Sequence, residues 1–289
     1  MADNKPPPGD RKPSYISPLI IAVIAVAIGA VTVWRMPEAT PPAPTKIEPP
    51  APVASAPPPP KAAPAVQPIL IRDDLIREAN LAASQFAASG MQPTSSAALI
   101  GKRFALSIPF GCGGFQNSLS NPQLGVSYDA KKQSITLTAR PGAWTTLPLI
   151  QGLGGAEIDA VEGFWIPRPW TSAQDCPPPM NNPAPATPTP PTTQTIGLAQ
   201  IFEMGGSRVS RHAERPYIFT RKIPPGDNAA LISSYRLVLE GRITGFGKDS
   251  ALRCWMEAPD HHPVCLFAVA LDRVAFEDEQ GKQIANWTD

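Results

Sequence analysis

The sequence has little charge, few aromatic residues and few cysteines. Charged residues make up 17% and aromatic residues 7% of the 289 positions, and there are 4 cysteines and 3 histidines. Lysine and arginine number 25 against 24 acidic residues, so the formal net charge is only +1. A chain without a basic excess lacks the electrostatic surface of a nucleic-acid binder, so we expect no nucleic-acid partner. Four cysteines are also too few for a small disulfide-dense scaffold.

Common catalytic and nucleotide-binding motifs are missing as well. The sequence contains no G-x-S-x-G elbow, no G-x-x-x-x-G-K-[ST] loop, no G-x-G-x-x-G after a predicted strand and no H-E-x-x-H. The carboxylates of Glu157, Asp159, Glu162 and Asp175 are scattered, as on the surface of strands, and do not suggest an acid/base pair. These observations predict no cofactor, and they favour a protein that is not an enzyme while leaving catalytic activity open.

Proline, in contrast, is abundant and clustered. Of the 38 prolines, 13 fall within residues 37–68, the main part of a predicted linker over residues 35–68. Proline fixes φ and removes a hydrogen-bond donor, so neither helix nor sheet is expected there. A polyproline II spacer rises ~3.1 Å per residue, which gives a fully extended reach of roughly 100 Å. The alternative function of this stretch is to dock a domain that recognises polyproline II.

Residues 16–34 form the longest apolar run. This segment, ISPLIIAVIAVAIGAVTVW, has no charge in 19 positions. As a helix it would be about 28 Å long, close to the ~30 Å of a bilayer core. Tyr15 and Trp34 bracket it, as interfacial aromatic residues do. We therefore predict a transmembrane helix with the membrane as its partner.

The flanking charges set the orientation of this helix. Lys5, Arg11 and Lys12 precede it, whereas only Arg35 follows closely. The positive-inside rule then places residues 1–15 in the cytoplasm and the bulk of the chain in the periplasm. The predicted location is a bacterial inner membrane crossed once.

A cleaved signal peptide is the alternative interpretation of the same segment. Ala25 and Ala27 resemble the small residues of a cleavage site. Cleavage there would leave an apolar stub on the mature chain, and 19 apolar positions exceed the ~7–15 of a usual signal. We favour the uncleaved anchor.

Residues 69–289 are predicted to form one mainly β domain. An amphipathic helix is expected over residues 73–89, because two aspartates open it, apolar residues recur at helical spacing and Gly90 follows it. A helical turn is expected at residues 95–100. Eight prolines within residues 177–193 predict a disordered insertion between two strands, with a domain boundary as the alternative.

Short apolar segments separated by turn residues follow the helix. Period-2 alternation and Gly/Pro/Asn turns favour an antiparallel β-sandwich or a partly open barrel. The predicted strands are residues 104–110, 125–128, 134–139, 156–165, 195–204, 217–221, 234–244, 251–257, 264–276 and 283–287.

The cysteines are expected to form two disulfides outside the cytoplasm. Cys254 and Cys265 flank ten residues that read as a hairpin loop, and Cys112 would then pair with Cys176. The sequence alone leaves the other two pairings of these four cysteines open. The alternative is a zinc site formed by Cys254, Cys265 and the adjacent His261 and His262, although this spacing matches none of the common zinc patterns.

Two groups of residues are candidates for binding. Arg208, Arg211 and Arg215 concentrate positive charge and could contact an anionic polymer or phospholipid head groups, but a solvated loop is the favoured explanation. Trp165 and Trp170 could grip a ligand as an exposed pair, or pack at the end of a strand.

The layout of the chain suggests a tethered module in the cell envelope. We expect an inner-membrane-anchored periplasmic binding or scaffolding protein, with an envelope protein or an anionic polymer as its partner. A periplasmic hydrolase with an unrecognised site is the first alternative. The order of basic tail, single helix, Pro-rich spacer and periplasmic domain is also similar to that of TonB-type energy transducers, and this resemblance implies an energy-transducing arm as the second.

The predicted orientation can be tested with reporter fusions. A reporter that is active only outside the cytoplasm should be active when fused after Pro68 and silent when fused before Ser14. The opposite pattern would overturn the orientation and the oxidising location inferred for the cysteines.

Overall fold

The computed structural model of the protein describes residues 68–112, 123–153, 158–178, 194–213, 215–226, 233–247 and 250–288. The predicted cytoplasmic tail and transmembrane helix lie outside these ranges, as do almost all of the linker and most of the proline-rich insertion. No helix within the described ranges combines the length and the apolar character needed to cross a membrane.

The fold is mainly β and carries one long helix ahead of its strands. A helix, α1 (Arg72–Ser89), and a 3₁₀ turn (Ser95–Leu99) come first. The remaining elements are β1 (Arg103–Phe110), β2 (Leu124–Asp129), β3 (Ser134–Ala139), β4 (Gly142–Ala143), α2 (Pro148–Gln151), β5 (Ile158–Trp165), β6 (Ile196–Glu203), β7 (Tyr217–Lys222), β8 (Tyr235–Ile243), β9 (Leu252–Trp255), β10 (Val264–Asp278) and β11 (Gln283–Thr288).

Helix α1 has the ends that its sequence predicts. The Asp74 carboxylate accepts a hydrogen bond from the Ile71 N–H at 3.1 Å, and this bond is the main reason that the pKa of Asp74 is lowered. Gly90 adopts the left-handed conformation (φ 68°) and donates its N–H to Phe86 O. The helix buries its apolar face, which includes Leu75 and Ala79, against β9, β10 and β1.

Strand β10 organises the larger of the two sheets. The large sheet has the order β1-β8-β10-β6-β5-β4, with β9 and β11 also paired to β10. At Val269 the partners are Gln200 of β6 and Ile243 of β8, so these strands occupy opposite edges of β10. Strand β9 continues the β8 edge, and β11 continues the β6 edge.

The large sheet is mixed, which corrects the expectation of a purely antiparallel fold. Strands β6 and β10 run parallel, whereas the other pairs in this sheet are antiparallel. Between β6 and β10 the chain leaves the large sheet to form β7 and returns to it as β8. This long connection allows β6 and β10 to run parallel. Alternation of apolar residues reports which face a side chain occupies but carries no information about strand direction.

Both faces of the large sheet are covered where β10 begins. Cys265, Phe267 and Val269 point into a first core with α1 and the small sheet. Leu266 and Ala268 point into a second core under α2. The first half of β10 is therefore apolar at consecutive positions, as expected for a strand buried on both faces.

The small sheet, β2-β3-β7, closes the first core from the opposite side. It is joined to the large sheet by the buried Gln123 amide at the start of β2. This amide donates to Gly163 O at 2.7 Å and accepts from the Trp165 N–H at 2.8 Å, both in β5. The two facing sheets confirm the sandwich in outline, and the predicted hairpin between β2 and β3 is present.

Both predicted disulfides are present in the structure. Cys112 pairs with Cys176, and Cys254 pairs with Cys265 directly across β9 and β10 at a Cα–Cα distance of 4.1 Å. Backbone groups of the second pair point away from each other, because Cys254 bonds the Gln92 amide at 2.8 and 2.9 Å and the Cys265 N–H bonds Thr195 O. The bridge therefore occupies a closely spaced, non-hydrogen-bonded position of the ladder.

Trp144 packs flat on β5 and β6 because both strands carry a glycine beneath it. A Cβ built on Gly197 would lie 2.9 Å from the Trp144 ring, and one built on Gly163 would collide with this ring and with Leu198 O. The Trp144 ring also packs against Trp165, the ladder partner of Gly197, at a centroid distance of 4.4 Å. The second core thus depends on two positions that accept no side chain.

Replacing Gly163 with alanine should destabilise the domain by ~1–3 kcal/mol, because the added methyl overpacks a site bounded by backbone and a fixed indole. Gly125→Ala is the matched control, since Gly125 also lies in a strand but has no atom within 4 Å of a Cβ built there. Denaturant unfolding should show this control to be neutral, or more stable by less than ~1 kcal/mol. Equal losses in both variants would contradict the packing argument.

Candidate functional site

A cleft among the described residues lies between β6, β8 and β10 of the large sheet. Its volume is about 830 Å³. It lies beyond the edge of the second core, where β6 leaves β10 after Gln200 and where the register of β10 with β8 shifts between Leu271 and Arg273. The divergence of β6 from β10 therefore leaves part of the sheet face uncovered.

The walls of the cleft combine apolar and polar side chains. Leu153, Ile158, Ile201 and Phe246 supply apolar surface. The polar residues are Gln200, Ser207, Ser210, Thr244, Glu203, Arg242, Arg253 and Asp272. This composition resembles that of ligand sites, in which apolar surface surrounds a few polar groups.

Of the two arginines in the cleft, Arg253 is the one without an ion pair. Its Nη2 donates to Gly152 O at 3.2 Å, and its buried Nε has no hydrogen-bond partner. In contrast, Arg242 is paired with Asp272 at 3.2 Å. No carboxylate in the described ranges forms an ion pair with Arg253, so an anionic group in the cleft would find its charge available.

One wall of the cleft belongs to the loop between β6 and β7, described at residues 204–213 and 215–216. Arg208 and Arg211, which the sequence suggests as contacts for an anionic partner, both bind the Asp159 carboxylate, at 2.9 and 2.6 Å. These two arginines tie the loop to β5. Asp159 therefore partly neutralises the charges of Arg208 and Arg211.

Polar contacts on the sheet hold the same loop at two further points. The Glu162 carboxylate, which is buried, accepts the His212 backbone N–H at 2.9 Å, and the Gln200 amide donates to Ser210 Oγ at 2.5 Å. Ser210 and Ala213 have positive φ values of 65° and 49°. The contacts with β5 and β6 compensate the backbone strain expected at these two residues.

Arg215 and His212 form the base of the loop. Arg215 Nε donates to His212 O at 3.0 Å, and the His212 Nδ1 lies 3.0 Å from Arg215 O. The His212 ring also stacks on Tyr217 at a centroid distance of 3.7 Å. These contacts assign the imidazole a packing role in the loop, and it does not line the large cleft.

The predicted tryptophan pair is divided between two environments. Trp165 is half-buried and packs on Trp144 in the second core. Trp170 is 65% exposed in the turn that follows β5. Core packing therefore explains Trp165, and Trp170 is left as a single exposed ring.

The residues of the zinc alternative do not meet as ligands. Cys254 and Cys265 are joined in a disulfide, so neither sulfur is available as a thiolate. His261 lies on the surface 3.5 Å from Glu257, and His262 contacts Pro263 O. Within the described ranges, no group of three or more His, Cys, Asp or Glu residues is arranged to hold a metal ion.

Arg72 stabilises the fold, although in the sequence it looks like an ordinary polar residue at the start of a helix. It is fully buried, and it donates to the backbone oxygens of Thr171, Pro167 and Arg168 at 3.0, 2.5 and 3.1 Å. Burial, with the Arg168 charge second, lowers the pKa of Arg72 to about 10. It stays protonated at neutral pH and fixes the turn that carries Trp170 to the start of α1.

Comparisons with known proteins place no further constraint on the site. No protein-family model matches the chain, and neither the curated proteins nor the solved structures contain a significant match.

The attachment of the loop through Asp159 can be tested by limited proteolysis. Asp159→Asn removes the charge that binds Arg208 and Arg211. A loss of ~1 kcal/mol of local stability should speed tryptic cleavage after these two arginines roughly fivefold. Asp272→Asn, which removes the partner of Arg242 outside the loop, is the control and should leave this cleavage rate unchanged. No acceleration in the Asp159 variant would show that the ion pairs do not hold the loop.

Proposed function

We propose that the protein is a membrane-anchored periplasmic binding or scaffolding protein whose binding site is the cleft between β6, β8 and β10. The observation that carries the proposal is the cleft itself, an uncovered part of an otherwise packed sheet. Its volume of about 830 Å³ falls within the ~300–1,000 Å³ range of ligand pockets. Its mixed walls suit a partner that presents both apolar and charged groups.

The unpaired Arg253 supports an anionic group on the partner, and the Glu203 carboxylate in the same cleft supports a cationic group beside it. Arg253 supplies a cation without an ion-pair partner among the described residues, beside apolar side chains such as Ile201 and Phe246. An envelope protein segment or an anionic polymer with apolar groups meets both requirements. Such a partner would be held by burial of apolar area and oriented by the guanidinium.

The anchored, periplasmic location is supported by the sequence and by cysteine oxidation. The charge-free run of residues 16–34 and the proline-rich linker that follows suit an anchor and a spacer. Two disulfides are typical of proteins outside the reducing cytoplasm. A spacer would let the domain search for partners while it stays attached to the membrane.

A binding role accounts for the described histidines better than the hydrolase alternative does. General-base catalysis needs an imidazole within hydrogen-bond reach of a nucleophile in an accessible site. His212 instead stacks on Tyr217, and its contact with Glu162 runs through the backbone N–H. His261 and His262 lie in the loop between β9 and β10, away from the residues that line the cleft.

Filling the cleft should abolish partner binding. Ala270 lies in β10 and lines the cleft, so Ala270→Phe places an aromatic ring where the partner would sit. Proteins or polymers cross-linked to the full chain in native membranes should be retained by the unmodified chain and lost, by at least ~10-fold, in this variant.

The matched control is Ala105→Phe, at a half-buried position of β1 that does not line the cleft. This variant should keep the cross-linked partners. If both variants captured the partner equally, the binding site would have to lie elsewhere on the chain. Turnover of a substrate by the unmodified chain, lost in Ala270→Phe, would instead identify the cleft as an active site and overturn the binding proposal.

A further inference from the structure

The small sheet carries a concentrated positive charge at one end. Lys131 and Lys132 lie in the β2–β3 turn, and Arg221 and Lys222 end β7 beside it. All four residues are exposed. We call them the cationic end of the small sheet. They stand out because residues 69–289 together carry 19 basic and 20 acidic side chains, which nearly cancel.

Contacts within the sheet hold these cations together. The Lys222 ammonium donates to Lys132 O at 2.7 Å, and Lys222 lies opposite Ser134 in the ladder, two residues from Lys132. Arg221 Nη2 lies 3.4 Å from the Tyr235 hydroxyl. The positions of these cations are therefore set by the register of the strands and by hydrogen bonds within the sheet.

Among the described residues, Asp129 is the acidic residue that pairs with this cluster. The Asp129 carboxylate accepts the N–H groups of Lys131 and Lys132 at 3.0 Å each, and its other oxygen lies 3.5 Å from the Lys132 ammonium. The hydrogen bond from the Lys132 N–H is the main cause of its lowered pKa, so it stays ionised. Lys131, Arg221 and Lys222 have no ion-pair partner in the described ranges, which leaves a net surplus of three positive charges.

The outer face beside the cationic end is polar and flat. Ser127, Thr136 and Thr220 lie in one row across the three strands, and the two threonine hydroxyls are 2.9 Å apart. Ile218, in the next row, is 54% exposed. Hydroxyls, one exposed aliphatic side chain and adjacent cations are the groups that a protein presents to the head-group layer of a membrane.

We propose that the cationic end and the outer face of the small sheet dock the domain onto an anionic phospholipid bilayer. The inference rests on the membrane anchorage proposed above, and the bilayer is the one that would hold residues 16–34. About 34 residues of linker join that segment to residue 69, so the surface would stay at a high effective concentration. Arg221 lies opposite the buried Ile135, so its side chain is on the core-facing side of the small sheet, and Lys131 and Lys222 are the surplus charges beside the outer face. Under such a tether, these two charges support an interaction that would be weak between free partners.

Lysine acylation on the full chain tests this docking. The protein is reconstituted in vesicles of phosphatidylcholine, either alone or mixed with phosphatidylglycerol, and treated with a membrane-impermeant amine reagent. With the anionic lipid, acylation of Lys131, Lys132 and Lys222 should slow several-fold, whereas the exposed Lys282 in the β10–β11 turn should react at an unchanged rate. Salt at ~1 M, where the Debye length is ~3 Å, should remove the difference.

A charge-matched pair of variants separates this surface from overall charge. Docking on anionic vesicles should also slow the amide hydrogen exchange of β7. Replacing Lys131, Lys132 and Lys222 with glutamine should abolish this protection. Replacing Arg77, Lys102 and Lys282 with glutamine removes the same charge elsewhere and should preserve this protection.

Two outcomes would overturn the proposal. Equal acylation in both vesicles would exclude docking on an anionic bilayer, and it would leave the cleft as a binding site because Ala270→Phe tests that separately. Protection by soluble dextran sulfate, with none from anionic lipid, would identify an anionic polymer as the partner of this surface. An inverted pattern of reporter fusions, in contrast, would place the domain on the cytoplasmic side and overturn the periplasmic location in the proposed function.

Discussion

The burial of β10 is the constraint on which the rest of the described structure depends. This strand has neighbours on both edges along most of its length, and its first half is covered on both faces. A strand in this position satisfies its backbone polar groups only through its neighbours, so the places of β6, β8, β9 and β11 follow from it. The cleft exists because one of these neighbours, β6, leaves the strand before it ends.

Much of the secondary structure could be predicted because it depends on local signals. Acidic residues at its start and Gly90 at its end mark helix α1, and alternation marks strands such as β3 (Ser134–Ala139). Strand β4 was missed because two residues, Gly142 and Ala143, are too few to show a period. The parallel pairing of β6 with β10 was missed because strand direction depends on the path of the chain between them.

The candidate site was less predictable because its key contacts join residues far apart in sequence. The sequence drew attention to Arg208 and Arg211 as a charge cluster, but Asp159, which binds both, lies about 50 residues earlier. Arg253 showed no local pattern, and its role arises from the cleft around it. Gln123 and Arg72 resemble ordinary polar residues in sequence, although both satisfy backbone groups in distant segments. Pairings of this kind become visible only after the sheets are assembled.

The amide of Gln92 has a consequence for neighbouring copies of this protein at high concentration. A strand with a free outer edge can pair with the same strand of a neighbouring molecule, and such pairing begins aggregation. At Cys254 of β9 both backbone groups on that edge are already bound by the Gln92 side chain, which occupies the position of the next strand. A neighbouring copy would have to break these two hydrogen bonds before its strand could pair with β9. Gln92 therefore opposes edge-to-edge polymerisation of the sheet at this position.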